Sequence, residues 1–200
     1  MGQTGIRGFV KVEHIPHTCE HALLEQFLKA ESMALRLVRS AQAQAVPPGV
    51  LRFLLQHEEE EARHLLQFEQ LLGMTSSNKT TLPRVPNQWC VLAVHLYGYE
   101  LLGLQFARLL VVVRPDLSSI LDDEEVHAGF FENEVRTLLL DGGSLADGSR
   151  QAARAWRRRL PLTVNRYLLD ESLAPFRDDL SRSILDAIDE RFAAISLWLL

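Results

Sequence analysis

The sequence predicts an all-α fold: a four-helix bundle made of two antiparallel hairpins joined by a long crossover, with extra helices at the C-terminal end. Apolar residues recur every three or four positions through four long stretches, which is the period of an amphipathic helix. The second and fourth stretches each carry Glu-x-x-His in their apolar stripe. At 200 residues and 47% hydrophobic, the chain can bury a full core as one domain.

The first hairpin is predicted from a proline turn between two periodic stretches. Thr18 is the expected N-cap of the first helix, which runs to about Ala45. The sequence AVPPG then allows a tight reversal, because proline is tolerated in the first turn of the next helix. The second helix spans Leu51 to Gly73, where the glycine is expected to end it. Residues 1–17 show no sustained period and predict an irregular lead-in.

The connection between the hairpins is predicted over residues 74–86, which are polar, contain proline and lack a helical period. If extended, thirteen residues reach about 43 Å at ~3.3 Å each. That is enough to run the length of a bundle, so we expect a crossover. The third helix is expected over about 87–111 and the fourth over about 118–141.

The bundle domain is therefore expected over 18–143, and 144–200 form a helical extension packed on it. Within the extension we expect a short helix around 148–159, an irregular segment, and a final helix from about Phe176. The short helix is rich in arginine. We interpret its arginines as a solvated face, with an anionic partner or RNA as the alternative.

Composition argues for a cytoplasmic protein without a membrane span. The net charge of −5 has both signs interspersed, so nothing in it calls for nucleic acid or an anionic membrane. Cys19 and Cys90 form neither a disulfide framework nor a Cys-x-x-Cys site, which favours a reducing compartment. The most apolar stretch, 90–113, is interrupted by polar and charged residues and predicts a buried helix.

Polar residues interrupt the apolar stripes at corresponding places in the two hairpins. The first helix of each hairpin has one glutamate in its stripe, and the second has a glutamate and a histidine on the same face, about one turn apart. Composition alone supplies roughly half a Glu-x-x-His by chance, whereas the chain has two. The six candidate metal ligands are Glu31, Glu61, His64, Glu100, Glu124 and His127.

This set of residues is that of a dimetal site in a four-helix bundle. Four carboxylates and two imidazoles in an apolar core would repel one another and remain undersolvated unless cations compensate them. Oxygen and imidazole ligands suit iron, with manganese as the alternative. We expect Glu61 and Glu124 to bridge two iron ions and to be the catalytic carboxylates. Glu31 and His64 then complete the ligands of one ion, and Glu100 and His127 those of the other.

Two acids beside these motifs, Glu60 and Asp123, are expected to hydrogen-bond a ligating imidazole, with plain surface charge as the alternative.

The second hairpin has a register mismatch: Glu100 and Glu124 differ by about 9 Å in their distance from the turn at ~1.5 Å per residue. We therefore expect the third helix to end early. If it does not, Gln105 would be level with the site in place of Glu100.

On these residues, the chain resembles the ferritin-like superfamily of diiron proteins over roughly 18–141. It is more similar to the small hydroxylases of that superfamily, such as demethoxyubiquinone hydroxylase and the diiron tRNA hydroxylase, than to storage ferritins. The resemblance implies that reduced diiron held by the six residues activates dioxygen and hydroxylates or otherwise oxidises an organic substrate. Two alternatives remain open: iron handling or peroxide reduction at the same site, and a non-catalytic helical interaction module whose carboxylates pair with arginines such as Arg63 and Arg108.

The expected substrate is a small, hydrophobic molecule. Tyr97, Tyr99, Phe130 and Phe131 are candidate walls of its cavity, with ordinary core packing as the alternative. Because no paired Cys-x-x-Cys follows the bundle, we expect the electrons to come from an external donor. A homodimer is compatible with the sequence, and RNA is a less favoured partner.

Overall fold

Six α-helices make up most of the structure. A computed structural model describes residues 15–76 and 81–198, and across those ranges the protein has helices and short 3-10 turns but no strand. The helices are α1 (Glu20–Gln42), α2 (Pro48–Leu72), α3 (Trp89–Val113), α4 (Ser118–Asp141), α5 (Gly143–Tyr167) and α6 (Arg177–Ala194). The all-α prediction is confirmed. The lead-in expected over 1–17 lies almost entirely outside the described residues.

The first helix is entered through a tight turn. A 3-10 turn over His17–Cys19 leads directly into α1, and Cys19 already has helical dihedral angles of φ −88° and ψ −6°. Thr18 lies inside this turn and is therefore not the N-cap that the sequence suggested, because an N-cap residue needs a non-helical backbone. α1 then ends at Gln42, slightly before the predicted end at Ala45.

Proline and glycine set the two ends of α2 as predicted. Pro48 is the first residue of the helix, where its missing N–H group costs no hydrogen bond. Gly73 follows the helix with φ at 62°, a left-handed conformation that glycine adopts without strain. The N–H groups of Gly73 and Met74 donate to the carbonyls of Gln70 and Glu69, at 3.4 and 3.1 Å. The last turn of α2 thus keeps its hydrogen bonds.

The helices pack as two antiparallel pairs, α1 with α2 and α3 with α4. In the first pair, Gln42 at the end of α1 donates to the carbonyl of Leu54 near the start of α2, at 3.0 Å. In the second pair, Tyr97 near the start of α3 donates to Glu132 in the second half of α4, at 2.9 Å. Arg191 of α6 also pairs with Glu132, at 2.8 Å. This network fixes α3, α4 and α6 to one another.

α3 is the most deeply buried helix. Seventeen of its 25 residues are buried, and α1, α4, α5 and α6 all pack against it. It is long and apolar enough to cross a membrane by length and composition, yet 72% of its most apolar window lies inside the protein. The prediction of a buried helix over this stretch is confirmed.

The C-terminal extension is more helical than predicted. α5 runs from Gly143 to Tyr167 and continues through Pro161, so the expectation of a short helix followed by an irregular segment is wrong. Proline removes one helical hydrogen bond, but the buried stripe of Trp156, Leu160 and Val164 continues on both sides of it and packs on the bundle. Burial thus outweighs the local cost of the proline.

Candidate metal centre

The six predicted ligands come together in one buried cluster between α1, α2, α3 and α4. None is more than 5% exposed, although ionisable side chains are rarely buried so completely. Two groups of side chains each bring one ligand atom per residue within 4.8 Å of all the others. The first group is Glu31, Glu61, His64 and Glu124; the second is His57, Glu61, Glu100 and His127. Glu61 is the residue that belongs to both.

His57 is a member of the cluster that sequence reasoning missed. It lies on α2 one turn before Glu61, is fully buried, and has its Nε2 atom 2.8 Å from Glu61 Oε1. A signal for it exists in the sequence, because Leu54, His57, Glu61 and His64 continue one stripe at intervals of three and four. It was overlooked because it forms no Glu-x-x-His motif.

The histidines of the two motifs are each oriented by an acid from the other hairpin. His64 Nε2 donates to Asp123 Oδ2 at 3.0 Å, and His127 Nε2 donates to Glu60 Oε2 at 2.8 Å. The hydrogen bonds predicted for Glu60 and Asp123 are therefore present. A neutral imidazole that donates from one nitrogen keeps a lone pair on the other. The Nδ1 atom of each ring is thus free to bind a metal ion.

These free ring nitrogens point at carboxylates. His64 Nδ1 lies 3.8 Å from Glu31 Oε2, and His127 Nδ1 lies 3.7 Å from Glu61 Oε1. Both nitrogens, together with Glu31 Oε2 and Glu61 Oε2, are buried without a hydrogen-bond partner among the described residues. Such an atom costs about 1–3 kcal/mol if nothing satisfies it. Oxygen and imidazole donors of this kind fit iron or manganese ions.

The charges in the cluster are not balanced by the protein alone. Burial, and then repulsion from Glu61, raises the pKa of Glu31 and of Glu124 well above its ordinary value. Burial also raises the pKa of Glu100, to about 7. Although burial would lower the pKa of His57, Glu100 and Glu61 raise it to about 9. Without another cation, the cluster therefore retains protons that a metal ion would displace.

The register of the second hairpin differs from the one predicted. α3 does not end early but stays helical to Val113, and Glu100, rather than Gln105, joins the cluster. Both parts of that expectation are therefore wrong. The 3-10 turn over Pro115–Leu117 adds little to the α4 side of the connection, because its three residues rise ~2.0 Å each against ~1.5 Å in an α-helix, a gain of about 1.5 Å in all. The turn therefore does not by itself account for the position of Glu100 in the cluster.

Gly103 of α3 leaves room for a carboxylate. A Cβ atom at this position would lie 2.7 Å from Glu124 Oε2, closer than real Cβ atoms approach an oxygen. The absent side chain thus allows Glu124 to reach across from α4 towards α3.

A cavity of about 70 Å³ adjoins the carboxylates. Glu31, Glu61, Glu100 and Glu124 line one side, and the remaining lining residues are mainly apolar or aromatic: Phe27, Ala30, Met33, Ala34, Leu37, Tyr99, Leu102, Gly103, Phe106 and Tyr167. None of the cluster's histidines lines it. The cluster therefore presents its oxygen face to the cavity.

Of the four aromatic residues proposed as cavity walls, only Tyr99 lines this cavity. Tyr97 is buried elsewhere and donates its hydroxyl to Glu132. Phe130 stacks on Phe53 with ring centroids 3.6 Å apart, and Phe131 is buried in the core. For Tyr97, Phe130 and Phe131 the alternative of ordinary packing is the better description.

Comparisons with family models, with curated proteins and with solved structures found no match to this chain.

Proposed function

We propose that this chain is a ferritin-like diiron protein that uses dioxygen to hydroxylate or otherwise oxidise a small organic substrate. The observation that carries the proposal is the buried cluster itself, in which the six residues predicted from sequence spacing converge. Four of them, Glu31, Glu61, His64 and His127, have a buried oxygen or nitrogen atom without a hydrogen-bond partner among the described residues. Glu31, Glu61, His64, Glu100, Glu124 and His127 would hold two iron ions, with manganese as the alternative metal.

The direction of the helices supports the ferritin-like topology. His64 of α2 pairs with Asp123 of α4, whereas the earlier Glu60 pairs with the later His127. The numbering runs in opposite directions on the two helices, as antiparallel neighbours require. Since α3 and α4 are also antiparallel, α2 and α3 run in the same direction, which calls for a connection along the length of the bundle.

Each residue of the cluster has a proposed role. When bound, two iron ions would supply the electrons for the reduction of dioxygen. Glu61 belongs to both groups of ligand atoms, which supports its role as a bridge, and Glu124 is the proposed second bridge. Glu60 and Asp123 would hold the two motif imidazoles in the tautomer that leaves Nδ1 free.

The cavity supports an apolar organic substrate. It meets the cluster on the side of the carboxylates, and its other walls come from α1, α3 and α5. A volume of about 70 Å³ admits only a small group, so a larger substrate would insert one end. The apolar walls would hold that end against the carboxylates and exclude water.

The electrons are proposed to come from an external donor. Cys19 and Cys90 are both buried and unpaired, so neither provides a dithiol for electron transfer. The burial of α3 supports a soluble protein rather than one anchored through that helix.

The contacts of two arginines argue against the interaction-module alternative. Arg63 pairs with Asp123 at 3.0 Å, and Arg108 pairs with Glu125. Neither neutralises one of the six buried ligands. These arginines therefore do not balance the buried carboxylates, which either retain protons or bind a metal ion.

The test is a cycle of reduction and oxidation on the iron-loaded protein. We expect an iron-dependent near-ultraviolet absorption that dithionite removes under anaerobic conditions and dioxygen restores, and that Glu61→Ala lacks. Failure of dioxygen to restore the absorption would contradict the proposal. Continued uptake of added ferrous iron beyond two ions per chain would favour iron storage instead.

A further inference from the structure

We propose that His57 is a seventh metal ligand, so that one of the two metal positions has two imidazole ligands and the other has one. This inference rests on the proposed dimetal site but goes beyond the six residues of its ligand set. It assigns His57, Glu61, Glu100 and His127 to a nitrogen-rich position, and Glu31, Glu61, His64 and Glu124 to a carboxylate-rich position.

The Nε2 atom of His57 points into the cluster. It lies 2.8 Å from Glu61 Oε1 and 3.6 Å from Glu100 Oε2. Its ring centroid is 3.7 Å from that of His127. Two imidazoles and two carboxylates thus surround one point, which is a donor set suited to a transition metal.

The surroundings of His57 provide no other polar role. The ring is fully buried and lies beside Phe53 and Phe131, with centroids 5.7 and 6.3 Å away. Its Nδ1 atom has no hydrogen-bond partner among the described residues. All polar contacts of this imidazole therefore go to the cluster, whereas His64 and His127 each have an outward partner as well.

The other hairpin has no equivalent residue. The spacing of His57 to Glu61 on α2 corresponds to that of Ile120 to Glu124 on α4. Ile120 is 1% exposed and packs in the core. The extra imidazole is thus confined to one metal position. Because imidazole favours later transition metals and carboxylate favours manganese, the two positions are expected to differ in metal preference.

The experiment is a titration of metal-free protein with Co²⁺, read by metal content after gel filtration and by visible absorption. We compare the parent, His57→Gln, and His95→Gln as a matched change of a histidine outside the cluster. Glutamine can still donate a hydrogen bond to Glu61 but is a poor ligand. We expect two ions on the parent and on His95→Gln, and one on His57→Gln.

The outcomes separate this inference from the proposed function. Two ions on His57→Gln with the parent's absorption spectrum would overturn the role of His57 as a ligand and leave the dimetal site standing. No bound metal on the parent would overturn both.

X-ray absorption on the parent tests the assignment without a variant. Three histidines shared by two ions predict about 1.5 imidazoles per metal, and a value near one would contradict the assignment.

Discussion

The two helical hairpins carry the same polar pattern but differ in how many residues their first helices bury. Each provides one glutamate from its first helix and Glu-x-x-His from its second, and each second helix provides an acid for the other's histidine. The second helices are also buried alike, with six of 25 residues in α2 and seven of 24 in α4. The first helices differ, because α1 has ten buried residues out of 23 and α3 has seventeen out of 25. The second hairpin therefore contributes, through α3, both ligands and the centre of the core.

The hairpins differ at one position of the site itself. His57 on α2 corresponds to Ile120 on α4, and both are buried. A symmetric ligand pattern thus need not produce two equal metal positions. We expect changes on α2 to act mainly on the metal, whereas changes on α3 act on the fold or on the metal according to what the altered residue contacts.

The largest effect is expected from Glu61→Ala, because Glu61 belongs to both groups of ligand atoms. We expect bound metal to fall from two ions per chain to nearly none, with a folded protein. Glu59→Ala makes the same change at an exposed position of α2 and should leave metal content unaltered. Inductively coupled plasma mass spectrometry on both variants measures this. Retention of a full metal complement by Glu61→Ala would remove the bridging role.

Two glycines of α3 separate stability from metal binding. A Cβ atom at Gly98 would lie 2.5 Å from the ring of Trp156, which is buried in the core, so Gly98→Ala should destabilise the fold by about 1–3 kcal/mol. At Gly103 the clash is with the flexible end of Glu124, so Gly103→Ala should keep its stability and lose metal affinity. Urea unfolding and a metal titration on both variants check this. Equal losses of stability in the two would contradict it.

The acids that orient the imidazoles should each affect one metal position. We expect Asp123→Asn, which acts on His64, and Glu60→Gln, which acts on His127, to weaken one ion each by about 10–100-fold. Competition titrations with a metal indicator would measure the two steps separately. If either change weakens both ions equally, the acids do not act on individual positions. Asp122→Asn, beside Asp123 but without a histidine partner, is the control.

The last prediction concerns the metal-free protein, whose stability should depend on pH. The raised pKa of His57, about 9 against an ordinary 6.5, contributes stability below pH 6.5 that is lost as the pH rises through 9. Glu31 and Glu124, also with raised pKa values, act in the same direction. The lowered pKa of His127, about 4, has no effect above pH 6.5.

We therefore expect the melting temperature of the metal-free protein to fall between pH 6.5 and 9, as followed by circular dichroism. Bound metal requires the deprotonated ligands and should remove this fall. A melting temperature that rises over this interval in the metal-free protein would show that the cluster does not hold these protons.

Much of the site was predictable because its signals are local. Glu61 with His64, and Glu124 with His127, are spaced by one helical turn, and a carboxylate in an apolar stripe stands out in any sequence. His57 was missed because it forms no Glu-x-x-His motif and has no counterpart in the second hairpin, where Ile120 takes its position. Only the fold brings it beside a ligand of another helix.

The errors in the fold have a different origin. The course of α5 through Pro161 depends on burial against α3 and α4, which outweighs the local preference of proline. The register of Glu100 was mispredicted because a count of residues from the turn treats α3 and α4 as straight and level, and the packing of these two helices cannot be read from that count. In both cases tertiary contacts or backbone geometry decided between local alternatives.

The most direct test of the central claim is the metal content of the protein purified from cells grown with iron. The account predicts about two iron or manganese ions per chain, held in the buried cluster and removed only by strong chelators. A content far below one ion per chain, in protein that is folded and then supplied anaerobically with ferrous iron, would contradict it.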